Sequence, residues 1–203
     1  MYSSEDRLYC YPDSSTLKNL LDIRDAAALA EVEGYIVGLR MAEVVRGPSG
    51  FAFDFEFLKE LHRRLFRDVY EWAGRARRVD MAKGQTRFAV WEQVESEAER
   101  LFDSTGVEPA SDSGAERQWF IDTAAPFLIE LNVIHPFRDG NGRTMRLFVE
   151  LWANSIGLKL DWGRVVPERI VEAMSHGVFH DDSLLREVLD ACIVPPRKRK
   201  LAP

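Results

Sequence analysis

The sequence predicts a mainly α-helical bundle carrying one short β-hairpin. Three observations lead there. Apolar residues recur every three to four positions in one stretch after another, the period of an amphipathic helix. These stretches open on aspartates or a proline and close on glycines, which is helix punctuation. Residues 76–89 instead alternate apolar and charged side chains, the period of a strand. With 203 residues, 46% apolar and 30% charged, the chain can bury a sizeable core in one domain, with or without an arm.

Residues 1–21 are polar and turn-rich around Pro12-Asp13-Ser14-Ser15 and read as a loose arm. Asp22 or Asp25 caps a helix running to about Arg46, with Leu29, Val32, Ile36 and Leu39 at helical spacing. Gly47-Pro48-Ser49-Gly50 stops it. Asp54 caps a second helix, with Phe57, Leu58, Leu61, Leu65, Val69 and Trp72 inward and Gly74 at its end. His62 reads there as an ordinary helix residue. In the alternating stretch, Val79 and Met81 interleave with Arg78 and Asp80, Lys83-Gly84 turns, and 86–89 returns, which makes the hairpin.

A third helix covers about 91–102 on Val94, Ala98 and Leu101, and 103–115 is a polar loop. Two long helices then flank a glycine-rich turn near residue 140. Beyond Gly157, residues 158–162 are an extended link. Pro167 suits the first turn of a helix carrying Ile170, Val171 and Met174. Asp182 caps a last one, with Leu184, Leu185, Val188 and Leu189, and His176 and His180 fall incidentally between the two. The division expected is an N-terminal arm and helix over 1–50, a main domain over 51–190 and a basic disordered tail over 191–203.

Composition removes several function classes. A net charge of −6 opposes a general nucleic-acid binder, and the Arg-Lys-Arg-Lys run near the end reads as a solvated tail. Cys10 and Cys192 have no metal-ligand spacing and are expected as free thiols of a reducing cytosol. The N-terminus is acidic and polar without an apolar leader, and no run approaches the roughly 20 apolar residues of a membrane span. A cytoplasmic protein with no membrane or direct nucleic-acid partner is expected.

Residues 131–152, LNVIHPFRDGNGRTMRLFVELW, concentrate the chemistry. Apolar helical patterns lie on both sides of Asp139-Gly140-Asn141-Gly142, which is strong turn chemistry. The loop therefore empties into a helix N-terminus, where unpaired N–H groups and the dipole disfavour cations. Yet Arg143 and Arg146 sit in its first turns, three residues apart on one face. A multiply charged anion at the loop resolves the conflict, with Gly140 and Gly142 letting the backbone approach it. Asp139 makes sense as a ligand for Mg²⁺ bridging phosphate oxygens. His135 stands one loop away, able to take a proton near neutral pH.

The run from His135 to Arg146 resembles the Fic family motif HxFx(D/E)GNGRxxR at every position. The resemblance extends over roughly residues 53–189, and residues 9–46 are similar to the N-terminal region of short bacterial Fic toxins. It implies a mainly helical Fic fold with the hairpin as a flap over the active site. The implied activity is protein adenylylation, in which AMP moves from ATP to a hydroxyl side chain of a target protein. Lys83, Gly84, Thr86 and Phe88 are then the candidates for holding the target's modified segment by strand addition.

In the implied mechanism, Asp139 holds Mg²⁺ against the α- and β-phosphates and Arg143 and Arg146 neutralise the β- and γ-phosphates. Asn141 and the loop amides stabilise charge at the α-phosphate, and His135 is the base. Phe137 anchors the loop in the core. The related Doc kinases carry Lys where this chain has Gly142, so the glycine favours AMP transfer over phosphate transfer.

Many Fic proteins also carry an inhibitory helix, (S/T)xxxE(G/N), whose Glu pairs with the second motif arginine. Glu33-Gly34 has Leu29 at the Ser/Thr position, and the stretch from Ser183 to Glu187 is followed by Val188, so neither fits. Inhibition is therefore expected from a separate small antitoxin reaching Arg146, and by resemblance the target is a bacterial type II topoisomerase subunit. The competing readings are a Fic-type transfer from another donor (UMP, phosphate or phosphocholine), a non-catalytic nucleotide-binding module, and a nucleic-acid-binding regulator resting on the basic tail.

Overall fold

The computed structural model describes residues 7–47, 52–84, 86–106 and 116–194. Among them, α1 (Ala26–Arg46) begins where the Asp25 carboxylate accepts the Ala28 N–H at 2.8 Å. It buries Leu29, Glu33, Val37 and Val44 and packs on α2. α2 (Phe55–Phe66) is capped in the same way by Asp54, 2.7 Å from the Phe57 N–H. Its buried face is Phe55, Phe57, Leu58, Leu61, His62, Leu65 and Phe66. It stops well short of Gly74. The Phe66 carbonyl accepts from both Val69 and Tyr70, and the Val69 carbonyl is taken by the Leu20 N–H. Val69 and Trp72 therefore reach the core from turns, not from a helix.

The hairpin is present but short: β1 (Ala82–Lys83) pairs antiparallel with β2 (Thr86–Arg87), and the Phe88 N–H to Met81 carbonyl bond extends it by one rung. Gly84 turns it at φ +60°. Residues 76–81 are not strand, because their backbone is committed elsewhere: the Arg77 N–H goes to the Pro136 carbonyl and the Arg78 N–H to the Tyr9 hydroxyl. A 3₁₀ turn (Trp91–Gln93) leads into α3 (Val94–Ser104).

α4 (Glu116–Ile134) is central, touching α3, α5 (Asn141–Ser155), α6 (Pro167–Phe179) and α7 (Ser183–Cys192), while α2 packs on α5. Phe120, Leu128, Leu131, Phe148 and Trp152 fill this core. The aromatic rings of Phe102, Phe127, Phe148 and Trp152 meet mostly edge to face there, the favoured geometry for aromatic pairs. Ahead of α7, the Asp182 side chain accepts from no backbone N–H of the first turn and instead pairs with Arg186 of that helix at 2.8 Å. The Ser183 N–H is accepted by Asp181. His176 is in the last turn of α6 and His180 just beyond it.

The arm is packed over its described part. Tyr9, Cys10 and Leu17 are buried in the main core cluster, Cys10 bridges to Leu17, and Arg138 donates to the Cys10 thiol at 3.6 Å. Apolar burial and these long-range bonds outweigh the polar, turn-rich composition that read as loose. Cys10 and Cys192 are free thiols. No helix of the described residues is long and apolar enough to cross a membrane. Residues 48–51, most of the 103–115 loop and the tail from 195 lie outside the described residues.

Candidate active site

α4 ends where the chemistry begins. The His135 N–H still donates to the Leu131 carbonyl at 2.9 Å, but its φ is +50° and Pro136 follows. That left-handed conformation costs a residue with a Cβ about 1–2 kcal/mol, so the surroundings must hold it. The imidazole is fixed as well. Its Nδ1 lies 3.3 Å from the Asn132 carbonyl, which assigns the proton to Nδ1 and leaves Nε2 as an acceptor. Phe88 of the flap stacks flat on the ring, 3.8 Å between centroids and 11° between planes. Burial, with the Arg77 and Lys83 charges adding to it, pushes the His135 pKa down to about 3. At pH 7 it is a neutral imidazole, the form a general base requires.

The turn after His135 is held from within and from below. The Asn141 side chain accepts the Phe137 N–H at 2.9 Å and donates to the Phe137 carbonyl at 2.7 Å. Its polar atoms thus clasp the loop from within. Gly140 has φ +79°, and a Cβ there would lie 2.4 Å from the Phe66 ring. This glycine is required by a close packing contact. A Cβ at Gly142 would meet Arg146 Nη1 at 3.3 Å, so its absence lets that guanidinium lie against the start of α5. Phe137 is fully buried and stacks on His62, 3.9 Å between centroids.

His62 is no ordinary helix residue. Its Nδ1 accepts the Gly74 N–H at 2.8 Å, so Nε2 donates to the Asp139 carbonyl 3.0 Å away. Burial pushes its pKa down to about 3. The inward spacing with Leu58, Leu61 and Leu65 was the signal available in the sequence.

The two motif arginines differ. Arg143 Nη2 pairs with Glu33 Oε1 at 2.5 Å, and the other oxygen of Glu33 accepts from the Tyr70 hydroxyl. Glu33 is only 6% exposed, and burial beside it raises the Tyr70 pKa. The guanidinium also lies 4.8 Å over the Phe66 ring and 3.8 Å from Asp139. So Glu33 does reach a motif arginine, but the first one, from a helix lacking the inhibitory signature. Arg146 has no ion-pair partner among the described residues, and burial together with Arg143 lowers its pKa. It is a half-buried cation without a counter-ion among the described residues.

Lys83, Gly84, Thr86, Phe88, His135, Gly142 and Arg146 line one cavity of about 270 Å³. Its lining also includes the apolar Leu128, Met145, Trp162, Ile170 and Met174, which suit the flat face of a base. A hollow of about 640 Å³ between Tyr9, Trp72 and Trp91 is larger but contains no motif residue. Asp139 Oδ1 accepts the Gly140 N–H, and its side chain is 42% exposed. The described residues contain no cluster of three or more His, Cys, Asp or Glu for a metal ion. The partly exposed Asp139 carboxylate, a hard oxygen donor, would suit Mg²⁺.

A neutral imidazole, an arginine with no ion-pair partner among the described residues at a helix start and a short hairpin share one cavity, a combination suited to group transfer from a phosphorylated donor. The profile of the Fic/DOC family matches residues 52–153, and the chain belongs to this family. It is 36% identical to the probable protein adenylyltransferase y4lH of Sinorhizobium fredii, over 85% of this chain and 88% of that protein. It is 32% identical to the probable protein adenylyltransferase Fic of Salmonella typhimurium over 94% of each. The protein adenylyltransferase VbhT of Bartonella schoenbuchensis is 34% identical over 93% of this chain, which spans 39% of that longer protein. Among solved structures, the N-terminal Fic domain of a Bartonella quintana cell filamentation protein with bound ADP superposes with TM-score 0.83 and 26% identity, covering 94% of this chain and 96% of that one.

Proposed function

We infer that the protein is a protein adenylyltransferase, moving AMP from ATP to a hydroxyl side chain of a target protein. The observation that supports this reading is that His135, Arg146 and the flap residues line one cavity, with Nδ1 of His135 engaged by the Asn132 carbonyl and Nε2 left as an acceptor. ATP lies with its phosphates along the start of α5 and its base against the apolar lining residues. Arg146 takes the terminal phosphates as the counter-ion it lacks among the described residues. Arg143, held by Glu33, adds positive charge beside them. Nε2 of His135 removes the proton from the target hydroxyl as its oxygen bonds to the α-phosphorus. The bond from that phosphorus to the bridging oxygen breaks, and pyrophosphate leaves. Positioning and charge stabilisation supply most of the acceleration.

Asp139 would hold Mg²⁺, which supplies charge neutralisation to the phosphates. Lys83, Gly84, Thr86 and the flap edge receive the target as an added strand. The proposal extends to a toxin acting on a type II topoisomerase subunit in the cytoplasm, restrained by a separate small protein whose Glu reaches Arg146. The absence of any described acidic partner at Arg146 supports the last point. Co-purification of such a partner, released by Arg146→Ala, would bear it out. A protein that is fully active and that no small neighbouring protein inhibits would count against it.

The test of the reaction is label transfer with Mg²⁺, bacterial lysate and ATP labelled at the α- or γ-phosphate. Protein-bound α-label that requires His135 is the expected result. His135-dependent γ-label would make it a kinase despite Gly142.

A further inference from the structure

Arg77 is a buried cation to which the reaction described above assigns no chemical step. It is 1% exposed and lies outside the motif. Its Nε donates to the His135 carbonyl at 2.8 Å, Nη1 to the Val79 carbonyl at 2.6 Å, and Nη2 to the Ile134 carbonyl at 3.1 Å and to the Ala89 carbonyl. Its own backbone N–H goes to the Pro136 carbonyl at 2.9 Å. A helix C-terminus presents unpaired carbonyls and welcomes a cation, so part of this is an ordinary cap. A cap, however, needs only the carbonyls of α4. Arg77 divides its donors between α4 and the two legs of the flap, Val79 on the way in and Ala89 on the way out. A second tie runs beside it, from the Ala89 N–H to the Val133 carbonyl at 3.0 Å. Between these ties sits His135, at φ +50° with Phe88 stacked on its ring.

We propose that Arg77 is a positioning residue for the transfer reaction, clamping the base of the flap to the backbone of His135 so that the target strand and the base are set in register together. This rests on the adenylyl-transfer reading. The planar fork of the guanidinium is what the geometry uses: four carbonyls approach it from three segments. A lysine would keep the charge but offers one nitrogen, and cannot span them. Misplacing a reacting group by about 1 Å costs roughly 100-fold in rate. Arg146 belongs to α5, outside the three segments that Arg77 ties together, so nucleotide affinity is carried separately.

The test is Arg77→Lys in the full chain, read three ways: kcat for AMP transfer, Kd for ATP by calorimetry, and amide hydrogen exchange. The expected result is a kcat lower by about 100-fold with ATP affinity within about threefold. Exchange at the Ala89 and His135 amides should speed up about tenfold while Thr144 stays unchanged. A kcat within threefold of wild type would overturn the clamp. So would faster exchange throughout the chain with ATP affinity lost in step, which marks a merely structural residue. If the wild-type protein transfers no AMP, the adenylyl-transfer reading fails by itself and the exchange pattern alone decides the clamp. Should Arg77→Lys lose its cooperative unfolding transition, Ala89→Pro cuts the second tie with Arg77 in place. About tenfold slower transfer at unchanged ATP affinity is then expected, and an unchanged kcat would overturn the proposal.

Discussion

In the proposed reaction His135 is available as a base at neutral pH because its cationic form is suppressed by burial and by the charges of Arg77 and Lys83. Its pKa of about 3 lies below the ordinary 6.5, so the neutral form persists far into acid. The rate of AMP transfer at saturating ATP should therefore stay level from about pH 8 to 5.5. A falling limb centred between pH 6 and 7 would show a histidine that titrates normally. His135→Ala should lower transfer by about 10²–10⁴-fold and leave ATP bound. Arg146→Ala should do the reverse. It should weaken ATP binding by about 10–100-fold, the worth of a charge-assisted contact, with a smaller effect on the chemical step. Calorimetry beside initial rates separates the two, and equal losses in both variants would contradict the division of labour.

The elements matter through what they bring to the loop. α2 supplies His62 and Phe66 beneath it, and α1 supplies Glu33, the counter-ion of Arg143. Glu33 is almost fully buried while Arg143 keeps 28% of its side chain exposed. Glu33→Gln leaves a partly solvated cation and should cost about 2 kcal/mol, less than a fully buried pair. Urea unfolding measures it, and a change under about 0.5 kcal/mol would mean that water replaces Glu33 freely. Gly140 links α2 to α5 by contact. Gly140→Ala meets both the positive φ and the Phe66 ring, and should cost about 2–3 kcal/mol in the same experiment.

Over the whole molecule, two buried histidines couple stability to pH. His62 and His135 both have folded pKa values of about 3 against about 6.5 when unfolded. Between these values the unfolded chain binds more protons, so stability rises with pH across the window and is lost as pH falls below about 6.5. Each histidine contributes a slope of up to about 1.4 kcal/mol per pH unit there. The melting temperature should be nearly constant above pH 7 and drop between pH 6 and 4.5. His62→Gln should make that drop shallower, and an unchanged slope would place the acid sensitivity in other groups.

The loop and its chemistry were legible because they are local. Turn residues, helix periodicity and arginines three apart depend only on near neighbours along the chain. The same locality explains what was misjudged. Nothing near His62 reports a carbonyl 77 residues on, and nothing near Glu33 reports an arginine 110 residues on. Arg77 follows no period at all. The motif's resemblance assigned Asn141 to the α-phosphate, and only the structure shows that its side chain also closes its own turn against Phe137. The sequence by itself determined the helical elements, the short hairpin and the glycine-rich turn that joins α4 to α5. Only the tertiary structure decided that the arm is packed, and which buried groups satisfy one another around the loop. Hydrogen-bond satisfaction in a core is a property of the packed chain, not of any stretch of it.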